Sequence, residues 1–343
     1  MSLFSHANAR SLRSGLLVSM AIAASATFSG AAWSQESTVW KFAHTTSILG
    51  TVWHRYATEI VPQRIEEATD GAVKIEVITG VVQPADMLAS VREGTVQGGS
   101  LILPYVGATL PTWNIMTLPG LVQDESQYPQ LVNDILMPHV REEAERRFDA
   151  LPVMFFASTG ASWFSNGPID SVDEIRGRKY RVHSPELGQL VQSAGGASVS
   201  IQFGDVPAAI QRGMIDAYTG AHPSASAAKL YESTRYAEDW PAGLGGSIYV
   251  ISTKALESLP EDVRDLVVAE FEELNLEIQQ ASLDEAKTAA ENLVAEGMEL
   301  IEIPQSEKEE LIRLAKEKVW PLWIQNAGPE GEQLLKTVQE ALN

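Results

Sequence analysis

Apolar positions along this chain switch repeatedly between two periods. Val39–His44 (VWKFAH) combines β-branched and aromatic residues and predicts a strand. From Ser47 onward Val52, Tyr56, Ile60 and Ile65 keep helical spacing until Asp70-Gly71 stops it. Val73–Ile78 alternates as a strand, and Pro84–Glu93 reads as a short helix with proline in its first turn and Gly94 after it. Ser100–Leu103 predicts a short buried strand, Tyr128–Phe148 an amphipathic helix and Pro152–Phe156 an apolar strand. The pattern continues with a short helix near Val172–Ile175, a strand at Lys179–His183, a helix from Pro185 and a strand at Ser198–Gln202. A helix at Val206–Arg212 and a strand at Ser247–Ser252 follow. Such alternation predicts α/β architecture with largely parallel sheets.

One stretch echoes another. Residues 87–98 (MLASVREGTVQG) and 206–217 (VPAAIQRGMIDA) both give a helix ending at Gly, then a β-branched strand. Gly94 pairs with Gly213 and Val96 with Ile215. Helix–Gly–strand junctions are common, but each copy also follows a strand closely. The echo predicts two similar lobes, each on a parallel sheet. No shorter repeat of about 20–50 residues recurs, so a solenoid is excluded.

The C-terminal third departs from this rhythm. Ser258-Leu259-Pro260-Glu261 fits a capping box, and no Gly or Pro follows until Gly297. The intervening pattern predicts a helix of about 36 residues, roughly 54 Å long at 1.5 Å per residue. That exceeds one small domain, so the helix should cross both lobes. Its middle, Glu277 to Ala290, is rich in Ala and Gln, as suits a junction with little core to fill. A second capping box, Ser306-Glu307-Lys308-Glu309, opens another helix, and a last short helix starts near Pro329.

The first 34 residues carry no acid. Arg10 and Arg13 precede an apolar run, and Ala32-Trp33-Ser34 puts small side chains at the −3 and −1 positions of a cut before Gln35. This is a secretory signal pattern. The alternative, a retained membrane anchor, is disfavoured because the run falls short of the roughly 20 residues a spanning helix needs. The remainder is expected to be a soluble periplasmic protein, cleaved near Ser34/Gln35.

Composition narrows the chemistry. The chain has 343 residues, no cysteine, 25 Lys plus Arg and 45 Asp plus Glu, for a net charge of −20. Disulfides, thiolate metal sites and cysteine nucleophiles are excluded. So large an acidic excess argues against nucleic-acid binding and suits a protein that stays monomeric in solution. The metalloprotease HExxH, the hydrolase GxSxG, the Walker loop and GxGxxG are all absent. The six histidines show no ligand spacing, so neither a metal nor a cofactor is expected. What stands out is cationic: along the strand at Lys179–His183, Lys179, Arg181 and His183 share one face. Arginine suits a carboxylate through two parallel hydrogen bonds, although a structural ion pair between lobes would use the same stripe. Trp163, Phe203 and Trp240 fall at loop or strand-end positions, where rings line pockets or simply pack in cores.

Several motifs, in this order and spacing, carry a family resemblance. They are Thr117-Leu118-Pro119-Gly120, Ser165-Asn166-Gly167-Pro168-Ile169 with Gly177-Arg178-Lys179-Tyr180-Arg181-Val182, Phe203-Gly204-Asp205-Val206 and Gly213-Met214-Ile215-Asp216. Ile248-Tyr249-Val250-Ile251-Ser252 leading to Leu259-Pro260-Glu261-Asp262 completes the set. Over nearly all of 38–342 the chain resembles the periplasmic solute-binding proteins of TRAP transporters, sodium-driven uptake systems for organic acids. The resemblance implies a type II-like two-lobed α/β fold around a cleft, with a long helix spanning both lobes. It implies that Arg181 grips the ligand's carboxylate, that Phe203 lies beside the ligand, and that Thr45, Thr46 and the stretch Leu103 to Tyr105 face it from the first lobe. Gly220 stands where many members carry an asparagine, and Ala161 where some carry a second arginine. One cation and several rings then imply a carboxylate or sulfonate with a less polar, ring-containing body.

The expected domains are 35–158 plus 246–286 for lobe I and 159–245 plus 287–343 for lobe II, after a signal peptide at 1–34. The candidate ligand-binding residues are Arg181, Phe203, Thr45, Thr46, Tyr105, Trp163, Gly220, Trp240 and His44. The function read from this is capture of a small organic anion and its delivery to TRAP membrane subunits, without enzymatic activity. An ABC-type binding protein, or an exported hydrolase or lyase using His44 or His183 as a base, is the alternative.

Overall fold

The computed structural model describes residues 37–45, 48–241 and 243–342. The proposed signal peptide and Thr46 lie outside them. Strands β1 (Thr38–His44), β2 (Val73–Thr79), β3 (Gly98–Ile102), β4 (Ala150–Ser158) and β10 (Gly245–Ser252) form one sheet in the order β2-β1-β3-β10-β4. A second sheet takes β5 (Ala161–Ser165), β6 (Lys179–Arg181), β7 (Ala197–Val199), β8 (Ala217–Ala221), β9 (Tyr236–Glu238) and β11 (Glu299–Ile301), in the order β11-β9-β5-β8-β6-β7. The strands and helices that the periodicity predicts fall close to their expected places, although two strands are shorter and β5, β9 and β11 stand where no strand is expected. The strand expected at Lys179–His183 stops at Arg181, and the one at Ser198–Gln202 becomes Ala197–Val199.

Neither sheet is largely parallel, which corrects the expectation from the alternation. β10 runs antiparallel to both β3 and β4, and β5 antiparallel to both β8 and β9. The physical reason is that the chain crosses between the sheets at 158–161 and again at 238–245. A strand arriving from the other sheet need not enter through a right-handed helical crossover.

The internal echo is real in three dimensions. α2 (Met87–Arg92) ends at Gly94 with φ 76°, and α6 (Val206–Gln211) ends at Gly213 with φ 65°. In both, the residue after that glycine donates to a carbonyl five back, Thr95 to Ser90 and Met214 to Ala209. Val96 and Ile215 are both buried, but each lies two residues ahead of its strand, which corrects the β-branched strands expected there. Extending the alignment pairs Gln83 with Gln202 and Pro104 with Pro223. Strand register then matches Phe42 to Tyr180, Ala43 to Arg181 and Thr45 to His183.

Helix α1 covers 52–68, and α4 covers 128–148. Each contains one wide turn, in which Val61 N–H reaches Tyr56 O and Met137 N–H reaches Val132 O. In each case the next residue is a proline, Pro62 or Pro138. Proline has no N–H, and its ring would strike the carbonyl four residues back; a π-type turn moves that carbonyl away.

The predicted long helix is present as α8 (Glu261–Ala295). At one end Val263, Val267, Phe271, Leu274 and Ile278 pack with Trp40, Phe42 and Tyr249 of the first sheet. At the other, Leu293 packs with Phe164 and Tyr218 of the second. Its buried polar residues cover the open edge of β4. Asn275 Oδ1 accepts from Phe155 N–H at 2.9 Å, and Ser282 Oγ donates to Ala157 O at 2.5 Å. Pro152 sits on the same edge, where it forfeits no ladder bond, and Arg141 Nε donates to its carbonyl. Neither predicted capping box forms. Pro260 and Pro304 occupy the cap positions without a side-chain bond, and Ser258 Oγ donates back to Ala255 O instead. α9 (Gln305–Lys318) follows. α10 (Trp320–Leu342) breaks at Gly328, so its second part starts at Pro329 as expected. Trp320 and Trp323 donate to the carbonyls of Pro119 and Pro111, so this C-terminal helix docks on the 111–119 segment. No helix among the described residues is long and apolar enough to cross a membrane.

Candidate functional site

A cleft of about 720 Å³ lies between the two sheets. Ends of parallel strands, and the turns that follow them, build its walls, as is general for α/β sheets. The equivalent positions Thr45 and His183, Gln83 and Gln202, and Pro104 and Pro223 all line it. The two lobes therefore present matching backbone frames, with the same side chain at two of these pairs and different ones at Thr45 and His183.

Arg181 is buried in the second-lobe wall, with 4 % of its surface exposed. β6 delivers it, and Nε and Nη1 donate to the carbonyls of Ile201 and Thr219, each at 3.2 Å. Among the described residues it has no carboxylate partner. Its guanidinium carbon lies 5.5 Å from the centre of the Phe203 ring, a cation–π arrangement. Burial pulls its pKa down, opposed by Tyr105 and Tyr218, but an arginine stays charged. The stripe predicted around it does not hold together. Lys179 is exposed, donates Nζ to Gly213 O and does not line the cleft. His183 does line it, with Nδ1 3.0 Å from Thr219 Oγ1, but burial and then the Arg181 charge hold its pKa near 4. It is neutral near pH 7. Among the described lining residues Arg181 is thus the one fixed cation.

Phe203, Tyr105, Thr45 and Gly220 all line the cleft. Thr45 is anchored through Oγ1 to Ser100 O at 3.0 Å. Trp163 and Trp240 do not line it, which corrects their expected place at the ligand. Trp163 stands on the central strand β5, its ring centre 5.1 Å from that of Tyr180 and 5.5 Å from that of Trp240, all in the core. Trp240 Nε1 donates to Ile169 O. His44 is also buried behind the wall, with Nδ1 3.0 Å from Ser100 Oγ, and its pKa is lowered to about 4 by burial and then by His54. The rings that do face the cleft are Trp53 and Phe156, stacked at 5.3 Å, together with Phe203 and Tyr105. Sequence reasoning missed Trp53, Phe156, Gln83, Gln202 and Glu285. Extending the internal echo by four residues would have found the two glutamines. Nothing marks Glu285 among 45 acids.

The profile of bacterial extracellular solute-binding proteins, family 7, matches residues 42–326. A curated relative, a solute-binding protein of Albidiferax ferrireducens, is 26% identical over 66% of this chain and 68% of its own. Two solved structures share the fold. DctP7 of Bordetella pertussis, an extracytoplasmic solute receptor binding pyroglutamic acid, superposes with TM-score 0.80 at 19% identity, covering 88% of this chain and all of that one. A TRAP periplasmic solute-binding protein from Desulfovibrio salexigens, with bound orotic acid, gives 0.77 at 20% identity, covering 89% and 98%. With its two sheets, spanning helix and central cleft, this chain belongs to family 7 of the bacterial extracellular solute-binding proteins, the TRAP receptor family that its motifs resemble.

Proposed function

We propose that the protein captures a small organic monocarboxylate in this cleft and delivers it to the membrane subunits of a TRAP transporter. The observation that carries this is Arg181: a buried guanidinium, oriented by two backbone carbonyls and without a carboxylate partner among the described residues. An anion from outside would complete it. Pyroglutamic and orotic acids, bound by the two structural neighbours, are both ring compounds with one carboxylate, which supports a ring-bearing monoanion. Trp53, Phe156, Phe203 and Tyr105 supply apolar surface for such a body, at about 25 cal/mol per Å² buried. A sulfonate would satisfy the same guanidinium.

In this reading the protein is a non-enzymatic monomer in the periplasm, matured before Gln35. Lobe I consists of 35–158 plus 246–286, and lobe II of 159–245 plus 287–343, with α10 docked back on lobe I. A thermal-shift screen against carboxylates and sulfonates tests the proposal, because a ligand that binds only the folded state raises the melting temperature by mass action. The reading fails if no organic anion stabilises the protein, or if succinate or malate binds more tightly than every monocarboxylate.

A further inference from the structure

Among the described residues that line the cleft, Glu285 is the one acid and Arg181 the one fixed cation. Glu285 lies on α8 and lines the cleft. Its Oε1 accepts from the backbone N–H of Val52, the first residue of α1, at 2.6 Å. That bond fixes the carboxyl's orientation and accounts for one oxygen as a helix cap. The other oxygen, Oε2, is buried and has no hydrogen-bond partner among the described residues. Trp53, next to Val52 in sequence, also lines the cleft, and its indole N–H is buried without a hydrogen-bond partner among the described residues. Buried polar atoms without partners are uncommon in folded proteins, and each asks for an occupant. Burial raises the Glu285 pKa, opposed by the Val52 bond and the Arg55 charge.

We infer that Glu285 determines specificity within the carboxylate class: it accepts a hydrogen bond from an N–H or O–H on the ligand's body and rejects ligands bearing a second carboxylate. This rests on the reading of Arg181 as the anchor of the ligand's acid group. Oε2 is covered in this arrangement, so a donor on the ligand pairs with it once the carboxyl turns toward the cleft that Glu285 lines. An analogue without one leaves that buried acceptor empty, a loss to which polar sites are sensitive. A second carboxylate would set like charges together in a desolvated site, a repulsive element of the kind that sharpens selection.

The test uses three probes of similar size: pyroglutamate, its lactone counterpart 5-oxotetrahydrofuran-2-carboxylate, which has no N–H, and glutarate. Calorimetry measures each against the wild type, Glu285→Gln and Arg181→Ala. In the wild type pyroglutamate is expected to bind at least about tenfold more tightly than either other probe, a gap of 1.4 kcal/mol. In Glu285→Gln glutarate is expected to gain about tenfold, because the amide carries no charge and can donate to it. The wild-type comparison stands even if the variant folds poorly. Equal binding of lactone and pyroglutamate by the wild type overturns the inference and reduces Glu285 to a cap for α1. Glutarate that gains nothing in a folded Glu285→Gln does the same. Binding of all three that survives Arg181→Ala instead removes the anchor reading, and absence of binding by all three removes the ligand class; the inference falls with either.

Discussion

Two of the Arg181 donor nitrogens are held by backbone carbonyls, so the guanidinium is oriented before any ligand arrives. Truncating a buried charged partner costs about 2–5 kcal/mol of binding, roughly 30- to several-thousand-fold in affinity. Arg181→Ala is expected to lose that much. Arg181→Lys should recover only part, because an ammonium lacks the planar fork. Calorimetry on both variants, with folding checked by circular dichroism, decides; wild-type affinity in Arg181→Ala rules the assignment out. A second residue-scale expectation concerns pH. Glu238 on β9 is fully buried, accepts from Ser165 Oγ at 2.6 Å, and has its pKa pushed up to about 7 by desolvation. The unfolded carboxyl ionises near 4.5 and the folded one near 7, so stability falls as pH rises through that window and levels off above it. The size is on the order of 3 kcal/mol. His44 acts in the opposite sense: its folded pKa near 4 against 6.5 keeps it neutral, and its share of stability is lost as pH falls from 6.5 toward 4. Glu238→Gln should therefore raise the melting temperature at pH 8 and leave it nearly unchanged at pH 4. Equal shifts at both values would show that Glu238 does not titrate in this way.

Helix α8 shows how an element can be legible in length and opaque in purpose. The absence of Gly and Pro between Pro260 and Gly297 marks its extent to within a residue or two. The same sequence does not say that its polar residues complete the edge of β4. A buried asparagine on a helix looks like any surface asparagine until the strand beside it is known. Asn275→Leu is expected to cost about 1–3 kcal/mol, the usual penalty for an unpaired buried amide, here Phe155 N–H. Denaturant unfolding measures it, and a midpoint equal to wild type would show that the edge finds another partner. The wide turns before Pro62 and Pro138 were partly readable, since a proline inside a helical pattern demands some accommodation. Which accommodation is chosen depends on packing. The capping boxes failed for a related reason: each proline brings the chain in already extended, so the serine nearby is not needed at the cap.

At the scale of the whole molecule, the two-lobed plan was visible in a twelve-residue echo, while strand direction was not, because direction depends on which sheet the chain has just left. Lining residues come from beside both sheets: Thr45, Trp53 and Tyr105 from segments that follow strands of the first, and Arg181, Phe203 and Gly220 from strands and a turn of the second. A ligand that touches both is expected to favour a closed arrangement, pivoting at the crossovers 158–161 and 238–245 and along α8. Gly160, with φ 73°, stands in the first crossover, where Glu125 accepts its N–H. Small-angle scattering should show the radius of gyration falling on saturation with a bound acid. An unchanged radius would place closure outside the binding step.

β10 sits between β3 and β4, yet it is made last of the three. When residues up to 244 have left the ribosome, β4 has no strand to pair with and β3 only one. The first lobe therefore cannot close its sheet before the second lobe's strands up to β9 have been synthesised, and its spanning helix comes later still. The order of strands in space imposes an order in time: the growing chain stays without a finished first sheet until about three quarters of it exists. A fold that cannot be completed from its N-terminal half keeps the emerging polypeptide open for longer.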